Sequence, residues 1–371
     1  MREPAGPALT PFRQPEISPA MQAMAGRRES QMSHEAAVVS PRWTPVLATR
    51  DDLPKILALY EQVWGPGRSL DYLGWKLFDA PFEPLPPMLA MDGDACVGLY
   101  AVVATPMILD GQPIMGCQSV DTMTHPDYRR QNMSVTLARA CYEVAKRRGF
   151  RLVYGMPNEN SYPMFMKHLD WVKTDDMLRW VRPLAARRLP AFLAEPANRI
   201  IRAHALRGEI RSAIVSRVTA ETRFVVPRAM PVAARCHVDK SAAWLQWRYA
   251  AEPGGAYQTY LTGDPDFPDA LIVFEEIRET GVPPVLLVQE WLARDTHLRL
   301  KAMKGLVALA ARRGCGSVVL YTNDPQAGIL LRGALFLPRP GMPIGATGFG
   351  PDKAKTPLKP GQIVLMGGDK D

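Results

Sequence analysis

The 371-residue chain has no apolar run long enough to cross a bilayer and no apolar leader segment of the secretory kind. A membrane-spanning protein is therefore not expected, and a cytoplasmic one is. Cysteine is scarce: Cys96, Cys117, Cys141, Cys236 and Cys315, with no Cys-x-x-Cys pair. Most of them lie in or beside apolar periodic stretches, so buried free thiols in a reducing compartment are expected. His125, His168 and His297 are not spaced as metal ligands, so no metal is expected. Lysine is absent from Arg179 to Arg235, where twelve Arg stand against Glu195, Glu209 and Glu221. That local excess is larger than the formal +8 of the whole chain. Such a stretch suits anionic lipid or nucleic acid, or else a solvated face. No nucleic-acid motif accompanies it, so no specific nucleic-acid partner is expected.

What is present centres on Ser119–Ser134, SVDTMTHPDYRRQNMS. Ser119 to Thr124 alternate as a strand does, which puts Ser119, Asp121 and Met123 on one face. His125-Pro126-Asp127 stops the strand, because proline donates nothing to a ladder. Arg129, Arg130 and Gln131 follow. From Met133 the apolar positions Met133, Leu137, Cys141 and Val144 have helical spacing. A turn feeding a helix start leaves backbone N–H groups unpaired beside a partial positive charge, which suits a phosphate.

This stretch resembles the acetyl-CoA loop of the GCN5-related N-acetyltransferases, a strand followed by P-x-Y-R-x-x-G-x-G/A and a helix. Pro126, Tyr128, Arg129 and Ser134 occupy the pattern; Asn132 stands where glycine is usual, and asparagine tolerates left-handed backbone. Downstream, after an apolar strand at Phe150–Tyr154, Asn158, Ser161, Phe165, Lys167 and Trp171 occupy the places of the family's N-x-x-A-x-x-x-Y-x-K pattern and the G-F/W that follows it. Phe165 stands where the family often has a catalytic tyrosine. The resemblance implies acetyl-CoA as co-substrate. Its site would comprise Met123, Thr124, Arg129, Arg130, Gln131, Asn132, Met133, Ser134, Asn158 and Phe165. The fold implied is α/β, a mixed, mostly antiparallel central sheet flanked by helices.

Taken in order, residues 1–42 hold six prolines and no sustained period, the composition of a disordered tail. Residues 43–182 form the acetyl-CoA-binding domain. Residues 183–235 are expected as a basic helical connector, with helix running from Ile200 through Ile214-Val215. Residues 236–371 repeat the first domain. Tyr72-Leu73-Gly74-Trp75-Lys76 recurs as Trp244-Leu245-Gln246-Trp247-Arg248, offset by 172, and Arg147-Arg148-Gly149 recurs as Arg312-Arg313-Gly314, offset by 165. At the second offset Asn158 meets Asn323 and Trp171 meets Phe336. Arg294-Asp295-Thr296-His297-Leu298-Arg299 then replaces the phosphate loop. An aspartate repels phosphate and Arg299 adds bulk, so the second copy is expected to bind no cofactor.

Acyl transfer to an amine requires a deprotonated amine, a polarised thioester carbonyl and a leaving thiolate. Asp121 is the candidate base, with a structural aspartate as its alternative. Tyr162 is the candidate acid, with a packed aromatic as its alternative. Backbone N–H near Met123 and Thr124 would polarise the carbonyl. The expected function is an acetyl-CoA-dependent N-acetyltransferase acting on the amine of a small molecule, with amino sugars and amino acid derivatives as candidates. Two alternatives stay open at this point: a catalytically weak acyl-CoA-binding regulatory protein, and a basic protein of nucleic acid or membrane surfaces. Oligomeric state is not readable.

Overall fold

The structure, a computed structural model, describes residues 42–186, 190–228, 234–349, 359 and 361–370. The tail expected over residues 1–42 lies, but for its last residue, outside them. From Trp43 onward strands and helices alternate. β1 (Thr44–Leu47) leads into α1 (Leu53–Trp64) and α2 (Leu70–Phe78). The Asp52 carboxylate accepts from Thr49 N at 2.9 Å, and Pro54 sits in the first turn of α1, where its missing N–H costs nothing. Ser69 caps α2 by accepting from Tyr72 N. Antiparallel strands β2 (Met88–Asp92), β3 (Ala95–Leu109) and β4 (Gln112–Thr124) follow. Their tight turns use Gly93, Asp110 and Gly111, all at positive φ. Then come α3 (Met133–Arg147), β5 (Leu152–Gly155), α4 (Tyr162–His168) and β6 (Val172–Pro183).

The remaining elements are α5 (Ala191–Leu206), β7 (Ile214–Arg217), β8 (Cys236–Val238) and α6 (Ala242–Leu245), which continues into one wide turn, Gln246–Ala250. After them come β9 (Tyr257–Asp264), β10 (Phe267–Glu279), β11 (Val282–Ala293), α7 (Thr296–Arg312), β12 (Ser317–Thr322), α8 (Pro325–Gly333), β13 (Leu337–Gly348) and β14 (Ile363–Val364). The helix expected to run on through Ile214-Val215 ends instead at Leu206. A Cβ on Gly208 would come within 2.6 Å of the Lys304 carbonyl of α7, so the chain turns there at close quarters. Ile214 and Val215 are β-branched and pair with Leu261 and Tyr260 of β9.

One mixed sheet runs in the order β1-β2-β3-β4-β5-β13-β6-β12-β11-β10-β9-β7. Inward from one edge it is β1 to β5; inward from the other it is β7, β9, β10, β11, β12. At the centre the last strands are exchanged: β13 lies against β5, and β6 lies against β12. Along this path all pairs are antiparallel except β4 with β5 and β11 with β12. The architecture is the expected mixed, mostly antiparallel sheet covered by helices.

One face of the sheet carries a core shared by both halves, in which Trp75, Trp244, Trp247 and Tyr249 are buried. The other face carries one core under α3 and α4 and another under α7 and α8. Trp75 and Trp247, the residues related by 172, stack at 5.3 Å between ring centroids. Each indole N–H donates to the other's backbone carbonyl, at 2.9 and 3.3 Å. All five cysteines are buried and free. Burial pushes the Cys96 thiol up to about 11 and that of Cys141 up to about 12, which keeps them unreactive.

Replacing either Trp75 or Trp247 with Ala removes a buried ring and strands a carbonyl. Each single variant is expected to lose about 3–5 kcal/mol. Because the two rings are each other's partner, the double variant should lose less than the sum, by about 0.5–3 kcal/mol. Urea unfolding of the four proteins in a double-mutant cycle measures this; additive losses would show that the pair is not coupled.

Candidate active site

β4 and β5 are hydrogen-bonded neighbours only at Cys117–Val153 and Gln118–Tyr154. Beyond those pairs β4 continues to Thr124 while β5 ends at Gly155, and the two diverge. A β-bulge lies at this point: Tyr100 faces Thr122 and Ala101 faces Val120, leaving Asp121 unpaired in the ladder at φ 26°. Bulges raise the local twist, which accounts for the divergence. A cleft of about 250 Å³ opens between the strands, with Ser119, Asp121, Asn158 and Phe165 among its walls.

The bulge corrects one expectation. Ser119, Asp121 and Met123 do not share a face, because the extra residue shifts the phase of the strand. Val120 and Met123 both enter the core shared by the two halves. Ser119 lies toward the opposite face, where its hydroxyl accepts from Tyr100 Oη at 2.9 Å. Tyr100 Oη in turn meets Tyr142 Oη at 2.8 Å, and Tyr142 accepts from Trp171 Nε1 at 2.9 Å. Burial raises both phenols well above the usual tyrosine range, so they stay protonated and hold Ser119 at the cleft wall.

The Asp121 carboxylate forms an ion pair with Lys76 of α2 at 2.6 Å, the two side chains being 8% and 3% exposed. Sequence reading missed Lys76 because it sits in an amphipathic helix 45 positions away, where a lysine ordinarily faces water. Phe165 is buried and lies 4.4 Å from the Trp171 ring. Asn158 Oδ1 accepts from the backbone N–H of Asn160 and of Ser161, both at 3.0 Å, which leaves its Nδ2 as a donor. Tyr162 begins α4 and is not among the residues lining the cleft.

Beside the cleft, a groove of about 490 Å³ surrounds the start of α3, with Thr124, Arg129, Arg130, Asn132, Met133 and Ser134 among its lining residues. Arg130 and Asn132 are left-handed, at φ 64° and 55°. Asn132 thus takes the conformation for which glycine is usual. Alternating handedness turns successive N–H groups toward one concavity, and the first turn of α3 adds donors with no carbonyl inside the helix. The Thr124 and Ser134 hydroxyls meet at 3.0 Å, tying strand end to helix start. Gly98 makes this approach possible: a Cβ there would lie 2.2 Å from Met133 Sδ. Gln131 lies outside the groove and accepts from Trp43 Nε1 at 3.2 Å. Met123 is buried, so only its backbone can serve the site. The donor set, hard N–H groups with two guanidiniums, fits a pyrophosphate, and the neighbouring cleft fits an amide-bearing arm.

The start of α7 is built differently. Asp295 Oδ1 accepts from Leu298 N at 2.8 Å, so the helix start is closed by its own carboxylate. Arg299 pairs with Asp324 at 3.0 Å and lies over the Trp291 ring. β11 has a bulge where β4 has one: Val273 faces Glu290 and Phe274 faces Val288, which leaves Gln289 in the place of Asp121.

Residues 46–172 match the acetyltransferase (GNAT) domain family. The chain carries a GNAT domain. It is an acyltransferase. No curated protein matches the sequence. Among solved structures, a GCN5-related N-acetyltransferase from Anabaena variabilis is similar at TM-score 0.58 and 12% identity, over 82% of this chain and 72% of that one. A probable N-acyltransferase from Enterococcus faecalis is similar at 0.56 and 10%, over 82% and 72%. The N-myristoyltransferase of Saccharomyces cerevisiae, solved with myristoyl-CoA, is similar at 0.55 and 12%, over 87% and 90%. At these identities the likeness is one of fold. The GNAT match covers the cleft walls on β4 and β5, the groove at α3 and all of α4.

Inside the GNAT domain, Asp121 and Lys76 stabilise each other in a buried setting. Asp121→Ala removes the carboxylate that faces the buried Lys76 ammonium and is expected to cost about 3–5 kcal/mol. Lys76→Met combined with Asp121→Leu should recover most of that loss, as apolar replacement of a buried pair commonly does. Thermal and urea unfolding read the difference; equal losses in single and double variants would show that the pair is not a unit.

Proposed function

We propose that the protein is an acetyl-CoA-dependent N-acetyltransferase acting on the amine of a small molecule. The observation that carries this is a pair of cavities along the end of β4: the N–H-lined, doubly basic groove at α3, which Thr124 lines, and the cleft where β4 and β5 part, which Thr122 lines. Arg129, Arg130, Asn132, Met133 and Ser134 hold the pyrophosphate, and Asn158 Nδ2 bonds the amide arm. Backbone N–H near Met123 and Thr124 polarises the thioester carbonyl. The amine nitrogen attacks that carbonyl carbon directly and the thiolate leaves. A thiol of pKa about 8.5 departs without help, which is compatible with Phe165 in the tyrosine place and with Tyr162 outside the cleft. Asp121 draws the acceptor's ammonium and takes its proton. The small cleft suits a short acyl group.

The second half, residues 236–371 with β7 of the connector as its edge strand, is a degenerate copy that binds no cofactor. The matching strand connections, the matching bulges, the Trp75–Trp247 contact and the aspartate at the α7 start support this. A second reading, a weakly catalytic acyl-CoA-binding protein, is favoured by one observation, the engagement of Asp121 with Lys76. For the basic stretch, Arg199 pairs with Glu195 and Arg235 with Asp110, both at 2.6 Å. These internal partners favour a solvated face over a nucleic-acid or lipid surface.

Arg129→Glu or Ser134→Glu places a carboxylate against the pyrophosphate and should abolish stabilisation by CoA in a thermal melt. Arg294→Glu should leave that stabilisation unchanged, and equal loss from both halves would refute the assignment. Wild-type thiol release from acetyl-CoA with a panel of amines separates the enzyme from the binding protein. Asp121→Asn in the enzyme should lower turnover by about 10²- to 10⁴-fold near neutral pH. The defect should shrink as rising pH deprotonates the acceptor unaided.

A further inference from the structure

The parting of β11 from β12 makes a second cleft, and the chain's own last described residues enter it. Met366 bridges to Thr322 at the end of β12. Thr322 Oγ1 donates to the Leu365 carbonyl at 2.9 Å. Asn323 Nδ2 donates to the Ile363 carbonyl at 2.7 Å, and Asn323 Oδ1 accepts from Leu365 N at 2.8 Å. A side-chain amide thus holds the backbone on either side of Val364, as it would hold the amide arm of a cofactor. On the β11 side Gly367 lies against the Val288 carbonyl, which a Cβ there would meet at 3.0 Å. The turn beyond is fixed by charge. Asp369 pairs with Lys240 and accepts from Met366 N, and Arg248 donates to the carbonyls of Gly368 and Lys370 at 3.3 and 3.2 Å.

Lys370, at the end of this anchored segment, lines the cleft between β4 and β5. Asp121 is the carboxylate of that lining and Lys370 its cation, with no other cation among the lining residues. The Lys370 ammonium lies 5.6 Å from the Tyr321 ring centroid, a contact that steadies it without neutralising it.

We propose that the second cleft has become an anchor for Ile363–Lys370, and that the anchor sets Lys370 in the acyl-transfer cleft to bind a carboxylate on the acceptor. The acceptor class is then an amino acid or amino acid derivative with a free acid, its ammonium toward Asp121 and its carboxylate toward Lys370. The acceptor half of the proposal rests on the acyl-transfer function above; the anchor half does not. Asn323 and Lys240 are positioning residues, and Lys370 is a specificity residue.

The test uses full-length protein, amino acids and their methyl esters. Lys370→Glu should raise KM for the free acids about five- to tenfold with kcat nearly unchanged and with no rise for the esters. Lys370→Arg should keep the preference. Asn323→Ala and the milder Thr322→Val should speed amide hydrogen exchange within residues 361–370 and raise KM for the acids in the same way, with CoA-induced stabilisation intact. Unchanged exchange in both variants overturns the anchor; an equal effect of Lys370→Glu on acids and esters overturns the carboxylate site. Should the wild type bind CoA and acetylate none of these amines, the acyl-transfer function fails. The acid preference is then read from stabilisation of the CoA-bound protein by acids over esters, and its absence overturns the proposal.

Discussion

The exchange of β6 and β13 at the middle of the sheet is the constraint on which the rest depends. A buried strand must pair on both sides, since unpaired backbone groups there cost about as much as a lost hydrogen bond. β5 finds its partner in β13, which comes nearly 200 residues later, and β12 finds its partner in β6. Neither half completes its sheet from its own strands. The shared core on one face, with the reciprocal Trp75–Trp247 contact at its centre, follows from that exchange.

The same exchange shapes both clefts. β13 replaces β6 as the neighbour of β5, so the strand that parts from β4 at the first cleft is held along its other edge by a strand of the second half. The bulges at Asp121 and Gln289 sit at matching places in β4 and β11, yet the two clefts differ in what surrounds them. Beside the first is an open groove with left-handed residues and two arginines. Beside the second is a helix start closed by Asp295, and the cleft itself holds the segment around Leu365. Matching backbones thus carry different side chains at the two clefts.

Asp121 shows how tertiary context changes a residue's chemistry. On an exposed strand end it would be an ordinary carboxylate. Its place on the bulge, opposite a lysine that α2 buries, makes it one member of an ion pair beside the cleft. In the proposed reaction, removal of a proton from the acceptor by Asp121 competes with the hold of Lys76.

The sequence by itself determined the fold class and singled out the turn before α3 as the proposed cofactor loop. Periodicity and prolines are local, so the strand through Ser119–Thr124, its stop at Pro126 and the start of α3 at Met133 stand where their spacing put them. The loop was legible because helix start, arginines and a residue tolerant of left-handed backbone are contiguous in sequence. The recurrence that relates Trp75 to Trp247 is in the sequence, although their contact is not. Only the tertiary structure decided the rest. A bulge depends on the partner strand, so the faces of Ser119 and Met123 could not be read from alternation. Ile214-Val215 reads as helix or strand until β9 offers it an edge. The pairing of Lys76 with Asp121, the tyrosine chain behind Ser119, the exchange of β6 and β13, and the arrival of Lys370 in the first cleft all join residues far apart in sequence. No local propensity encodes such contacts; burial and backbone pairing across the whole sheet select them.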